Sequence, residues 1–167
     1  MNTKALAGLG VALMLAYVTT ASAKPNQAFL TDAIQGNLAE ISMGQLAQKN
    51  GGSDGVRSFG QMLVQDHSAA NEKAKSLAQA QGVTLPTAPK PEAKTEFDRL
   101  SKLNGDNFDK EFAKHMVADH KKDIAEFEAQ AKAGDEVASF AKDTLPTLQK
   151  HLQTAQSLAS GKPVQQQ

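Results

Sequence analysis

Apolar residues recur at steps of three and four along almost the whole chain beyond residue 25, which is the period of a helix face. Phe29, Ala33, Ile34, Leu38, Ile41 and Leu46 form the first stripe, in a helix predicted over 26–49 that stops at Asn50-Gly51-Gly52. A second stripe, Val56, Phe59, Leu63, Ala70, Ala74 and Leu77, begins at a Ser53 or Asp54 cap and runs to Gly82. The segment VTLPTAPKP follows, and its three prolines favour extended backbone. Pro91 then suits the first turn of a short helix over 92–103, closed by Asn104-Gly105. Asp106, with Asp109 three places on, predicts the cap of a third long helix with Phe108, Phe112, Met116, Ile124, Phe127 and Ala131 on its apolar face. Gly134 ends it, and Asp135 caps a fourth long helix carrying Val137, Phe140, Leu145, Leu148, Leu152 and Leu158. Pro146 lies inside this last helix, where it removes a backbone donor and predicts a kink.

Two tight loops make two antiparallel helix pairs. The middle connection, 83–105, is long enough to travel the length of a bundle. The expected fold is therefore all-α: a ferritin-like four-helix bundle with a long crossover containing a short helix, in which the second and third long helices run parallel. Abundant Ala, Gln, Lys, Glu and Leu, with few β-branched residues, agree with helix.

The N-terminus changes the picture of where this bundle works. Lys4 is the only charge in residues 1–23, an apolar run follows over 5–18, and Ala21-Ser22-Ala23 offers small residues to a signal peptidase. The run is shorter than the roughly 20 residues of a spanning helix. Residues 1–23 thus read as a cleaved signal peptide, 24–160 as the four-helix domain and 161–167 as a disordered tail. The expected compartment is the periplasm, with no transmembrane segment after cleavage. The chain has no cysteine, which excludes a disulfide framework and thiolate chemistry. Its 18 basic and 18 acidic residues balance, which removes the electrostatic case for nucleic acid or anionic lipid.

Within the helices, FGQMLVQDHSAAN at 59–71 and FAKHMVADHKKDI at 112–124 share Phe, six residues, then Asp-His. His67 lies fourteen residues past Ser53, and His120 fourteen past Asp106. In parallel helices both stand roughly 21 Å from the same end. Each also falls within its apolar stripe: His67 is four after Leu63, and His120 is four after Met116. His151 on the fourth long helix and Glu40 on the first reach similar depths, Glu40 with the largest offset. The expectation is a transition-metal site in the bundle core, with Glu40, His67, His120 and His151 each from a different helix. Imidazole and carboxylate suit zinc, copper or iron. Asp66 and Asp119 are further ligands or outer acceptors that orient an imidazole.

The competing reading is structural: crossed Asp-His pairs that lock the second and third long helices together without metal. The Glu-x-x-His pairs of carboxylate-bridged di-iron proteins are absent, since Val64, Val117 and Leu148 stand three before the histidines. Met43, Met62 and Met116 read as core filler rather than copper ligands. The charged face with Lys114, Lys121, Lys122 and Glu128 reads as solvated. No Ser or Thr is placed to serve an Asp-His dyad as nucleophile.

The stretches NLAEISMGQLAQKN, VRSFGQMLVQDHSAAN, FAKHMVADHKKDIAEFEAQA and LPTLQKHLQTAQ resemble a widespread bacterial envelope family, catalogued as a domain of unknown function and often labelled "predicted outer membrane protein". The resemblance covers about 26–160. It implies a secreted, ferritin-like helical domain, and it matches Glu40 and the three histidines. It implies no established activity. Barrel strands and a lipobox cysteine are both missing, so a protein free in the periplasm is the expected form. An envelope-stress or partner-binding module is the alternative function.

Overall fold

The computed structural model describes residues 24–161, and the signal-peptide and tail assignments lie outside them or at their edge. Among the described residues five helices form: α1 (Asn26–Asn50), α2 (Asp54–Ala80), α3 (Pro91–Leu100), α4 (Gly105–Gln130) and α5 (Glu136–Ala159). The fold is all-helical, with four long helices and one short one in the long connection. Among the described residues, no helix is long and apolar enough to cross a membrane.

Local chemistry sets the helix ends. Ser53 caps α2 by accepting from the Val56 amide, and Asp135 caps α5 by accepting from the Ala138 amide. The expected capping role of Asp106 and Asp109 is not what forms. Asn104 is the N-cap of α4 and its side chain makes no cap bond. Asp109 instead accepts from the Gly52 and Ser53 amides at 2.8 and 2.9 Å, tying α4 to the loop between α1 and α2. Pro146 lies inside α5 without ending it.

That loop also pairs Gly51 with Gly105 in a short parallel bridge. The starts of α2 and α4 therefore share one end of the bundle, and the two helices run parallel. Around the bundle, α2 packs on α1 and α5, and α4 packs on α5 and α1, so α2 and α4 face each other across the diagonal. The tightest approach is between α1 and α2. A Cβ added at Gly44 would meet the Gly60 carbonyl oxygen at 2.6 Å, and one added at Gly60 would meet the Gly44 oxygen at 2.6 Å. Only glycine permits that spacing.

The core is divided. One apolar cluster gathers Phe29, Leu30, Ile34, Ala74, Phe127, Val137, Phe140 and Leu148. Another gathers Met43, Leu46, Phe59, Leu63, Leu100, Phe108, Phe112 and Met116. Between them along each long helix lie buried polar residues: Asn37 and Glu40 on α1, His67 and Asn71 on α2, His120 on α4, His151 and Thr154 on α5. A polar layer thus crosses the middle of the bundle. Met43 and Met116 sit inside the second cluster, with Met62 packed against it.

Candidate metal centre

The polar layer is positioned by helix periodicity. His67 follows Leu63 by one turn on α2, His120 follows Met116 by one turn on α4, and His151 follows Leu148 on α5. Each apolar predecessor is buried, so each imidazole is carried inward, with at most 4 % of any of the three residues exposed. The rings converge with centroids 5.2, 5.3 and 5.8 Å apart. Each offers one ring nitrogen, and these three nitrogens lie within 4.8 Å of one another. Phe59 closes one side edge-on to His151 at 5.9 Å.

The other nitrogen of each ring is occupied. His67 Nδ1 lies 2.9 Å from Asn37 Oδ1, His120 Nδ1 lies 3.1 Å from the Met116 carbonyl oxygen, and His151 Nε2 lies 2.9 Å from Asp66 Oδ2. These partners accept, so in each ring that nitrogen carries the proton. In neutral imidazoles the remaining nitrogens, His67 Nε2, His120 Nε2 and His151 Nδ1, then hold lone pairs. His67 Nε2 is buried and has no hydrogen-bond partner. His120 Nε2 and His151 Nδ1 stand 3.3 Å apart, two acceptors facing each other.

The electrostatics hold the rings neutral. Burial, then the neighbouring His151 and His120, pushes the His67 imidazole well below its usual pKa. Burial, then His151, pushes His120 down to about 4. Burial lowers His151 too, outweighing the Asp66 carboxylate that pulls it up. A proton shared between His120 and His151 is therefore disfavoured at neutral pH, and two lone pairs remain facing each other across 3.3 Å.

That arrangement is what a metal ion accepts: neutral imidazoles, each oriented through its second nitrogen by an acceptor behind it. The spacing agrees. At a metal–nitrogen distance of about 2.0–2.1 Å, two ligands of a tetrahedral ion stand roughly 3.3–3.4 Å apart. Three protein ligands leave a fourth position open.

The structure brings His67, His120 and His151 together and places the carboxylates around them differently. Asp66 sits behind His151, joining α2 to α5. Glu40 and Asp119 are not among the mutually close donors. Glu40 is 1 % exposed on α1, and the Asp119 carboxylate on α4 lies within its hydrogen-bonding reach. The crossed pairing of Asp66 with His120 and of Asp119 with His67 does not form, because α2 and α4 are diagonal and each Asp turns to a neighbouring helix. Sequence reasoning missed Asn37, whose signal was a polar residue one turn after Ala33 and Ile34 in an otherwise apolar stripe. It also missed Asp123, one turn beyond Asp119.

Residues 15–158 match the family described as Domain of unknown function (DUF4142). The chain belongs to that family. No curated protein and no solved structure matches it.

Proposed function

We propose that this is an exported, periplasmic protein that holds one transition-metal ion in the middle of its helical bundle. His67, His120 and His151 are the ligands, and Asn37, the Met116 carbonyl and Asp66 orient them. The observation that carries this reading is the facing pair of His120 Nε2 and His151 Nδ1 at 3.3 Å, with both other ring nitrogens already bonded outward. The donor set favours zinc, copper or iron over the hard cations. A redox or stress-protective role in the envelope suits an imidazole centre with an open position, and the ion supplies that chemistry when bound.

The test is elemental analysis of the mature protein, purified from the periplasm without chelator or affinity tag, beside a His67→Ala/His120→Ala variant. About one equivalent of a transition metal is expected in the first and none in the second. No metal in either, with none taken up from added zinc, copper or iron, would defeat the proposal. The histidines would then be a structural clasp between α2 and α5 through Asp66, and the function a matter of partners.

A further inference from the structure

A cleft of about 440 Å³ lies between α1, α3 and α4, with His67 in its lining. Several carboxylates line it, and they fall into two sets. Asp32 is paired with Lys24 and Lys90 at 2.6 and 2.5 Å, Glu126 with Lys24 at 2.9 Å, and Glu96 with Arg99 at 2.7 Å. Glu40, Asp119 and Asp123, like the exposed Glu92 at the rim, have no Lys, Arg or His within 4.0 Å among the described residues. Asp119 and Asp123 are one turn apart on α4 and line the cleft together with Glu40 of α1. Glu40 is the most buried of the cleft acids, and its Oε2 has no donor; the group within its carboxylate's reach, Asp119, is another acceptor unless a proton lies between them.

A buried carboxylate without a counter-charge is costly, and it is satisfied by a proton or by a cation. Burial and then Asp119 push Glu40 well above the usual carboxylate range, and burial and then Asp119 push Asp123 up to about 7. Both shifts come from burial and neighbouring negative charge, which Lys122 and Lys90 offset only in part at Asp123.

We propose that Glu40, Asp119 and Asp123 form a second cation site, separate from the imidazole triad, for a hard divalent cation of the magnesium, manganese or calcium class. An all-oxygen donor set selects such ions, as the imidazoles select softer ones. The carboxylates are more widely spaced than the imidazoles, which are the only three donors mutually within 4.8 Å among the described residues. A hard cation tolerates that spacing because it keeps several of its waters, and the cleft has room for them.

Manganese(II) alone is the probe, followed by loss of the free-ion electron paramagnetic resonance signal on binding. The full-length mature protein, loaded with one equivalent of zinc, is expected to bind one manganese in the range of about 10⁻⁵–10⁻³ M. Glu40→Gln and Asp123→Asn should each weaken this at least tenfold while zinc is retained. His67→Ala/His120→Ala should lose zinc and keep manganese. Asp123 is half-buried, so its variant decides the matter if Glu40→Gln fails to fold. An unchanged free-manganese signal with wild-type protein would overturn the site. Equal binding by wild type and both acid variants would place the ion elsewhere and overturn the site. If the protein takes up no zinc, the triad reading fails by itself, and the manganese titration of metal-free protein still decides this one.

Discussion

At the scale of single residues, the work of the centre is divided between atoms that face inward and atoms that hold them there. Asp66 touches none of the inward-facing nitrogens, yet its bond to His151 Nε2 sets which nitrogen of that ring is free. Asp66→Ala is expected to weaken zinc binding about 10–100-fold, the usual effect of removing an outer partner. Competition with a chelating dye checks it, and affinity equal to wild type would remove Asp66 from the centre. Asp123, beside the likewise raised Glu40, contributes to the pH dependence on the cleft side. In metal-free protein its folded pKa of about 7 exceeds the usual 3.8, so the folded state binds that proton more tightly than the unfolded state does. Its contribution is complete below about pH 4 and is lost as pH rises through about 7. His120 has the opposite sign: its stability is complete above about 6.5 and is lost as pH falls to about 4. Because the two oppose, the comparison with a variant isolates one of them. Metal-free Asp123→Asn should gain Tm relative to wild type as pH rises from about 4 to about 8, and parallel curves would refute the assignment.

At the scale of elements, periodicity placed the helices well, because an apolar residue every three or four positions has only one regular solution. Helix one was predicted over 26–49 and forms over Asn26–Asn50, and the caps Ser53 and Asp135 act as read. The common depth of His67 and His120 was legible for the same reason, since rise per residue is fixed. The order of helices around the bundle was not. Periodicity gives a face for each helix but not which neighbour that face meets, so it leaves Asp66 and Asp119 open between ligands, outer acceptors and crossed partners of each other's histidines, whereas Asp66 turns to His151 of α5 and Asp119 to Glu40 of α1. Nor could it show the closest packing, which depends on two glycines far apart in sequence. Gly44 and Gly60 let the α1 and α2 backbones touch. Gly60→Ala gains helix propensity yet must push the helices apart against backbone atoms, so a net loss of about 1–3 kcal/mol is expected. That corresponds to a Tm lower by roughly 5–10 °C. A Tm at or above wild type would mean that the contact relaxes without cost.

At the scale of the whole molecule, the notable feature is that a polar layer cuts the core in two. Asn37, Glu40, His67, Asn71, His120 and His151 occupy positions where four helices converge and where leucine would fill the space. Buried polar groups with orphaned atoms, here Asn37 Nδ2, Glu40 Oε2, His67 Nε2 and Asn71 Oδ1, lower stability relative to apolar packing. A bundle of this size does not need them to fold. If the layer exists to hold an ion, its cost is recovered when the ion binds. At a free metal concentration 100-fold above Kd, binding adds about 2.7 kcal/mol. If the layer is instead a clasp, its hydrogen bonds must stabilise the protein without metal. One variant separates these cases: Asn37→Leu with His67→Leu, His120→Leu and His151→Leu, which removes the triad together with the side-chain acceptor behind His67. Under the metal reading its Tm without metal equals or exceeds that of metal-free wild type, and added zinc, which raises the wild-type Tm, leaves it unmoved. Under the clasp reading its Tm falls below that of metal-free wild type, because the bond from His151 to Asp66 between α2 and α5 is lost with nothing in exchange.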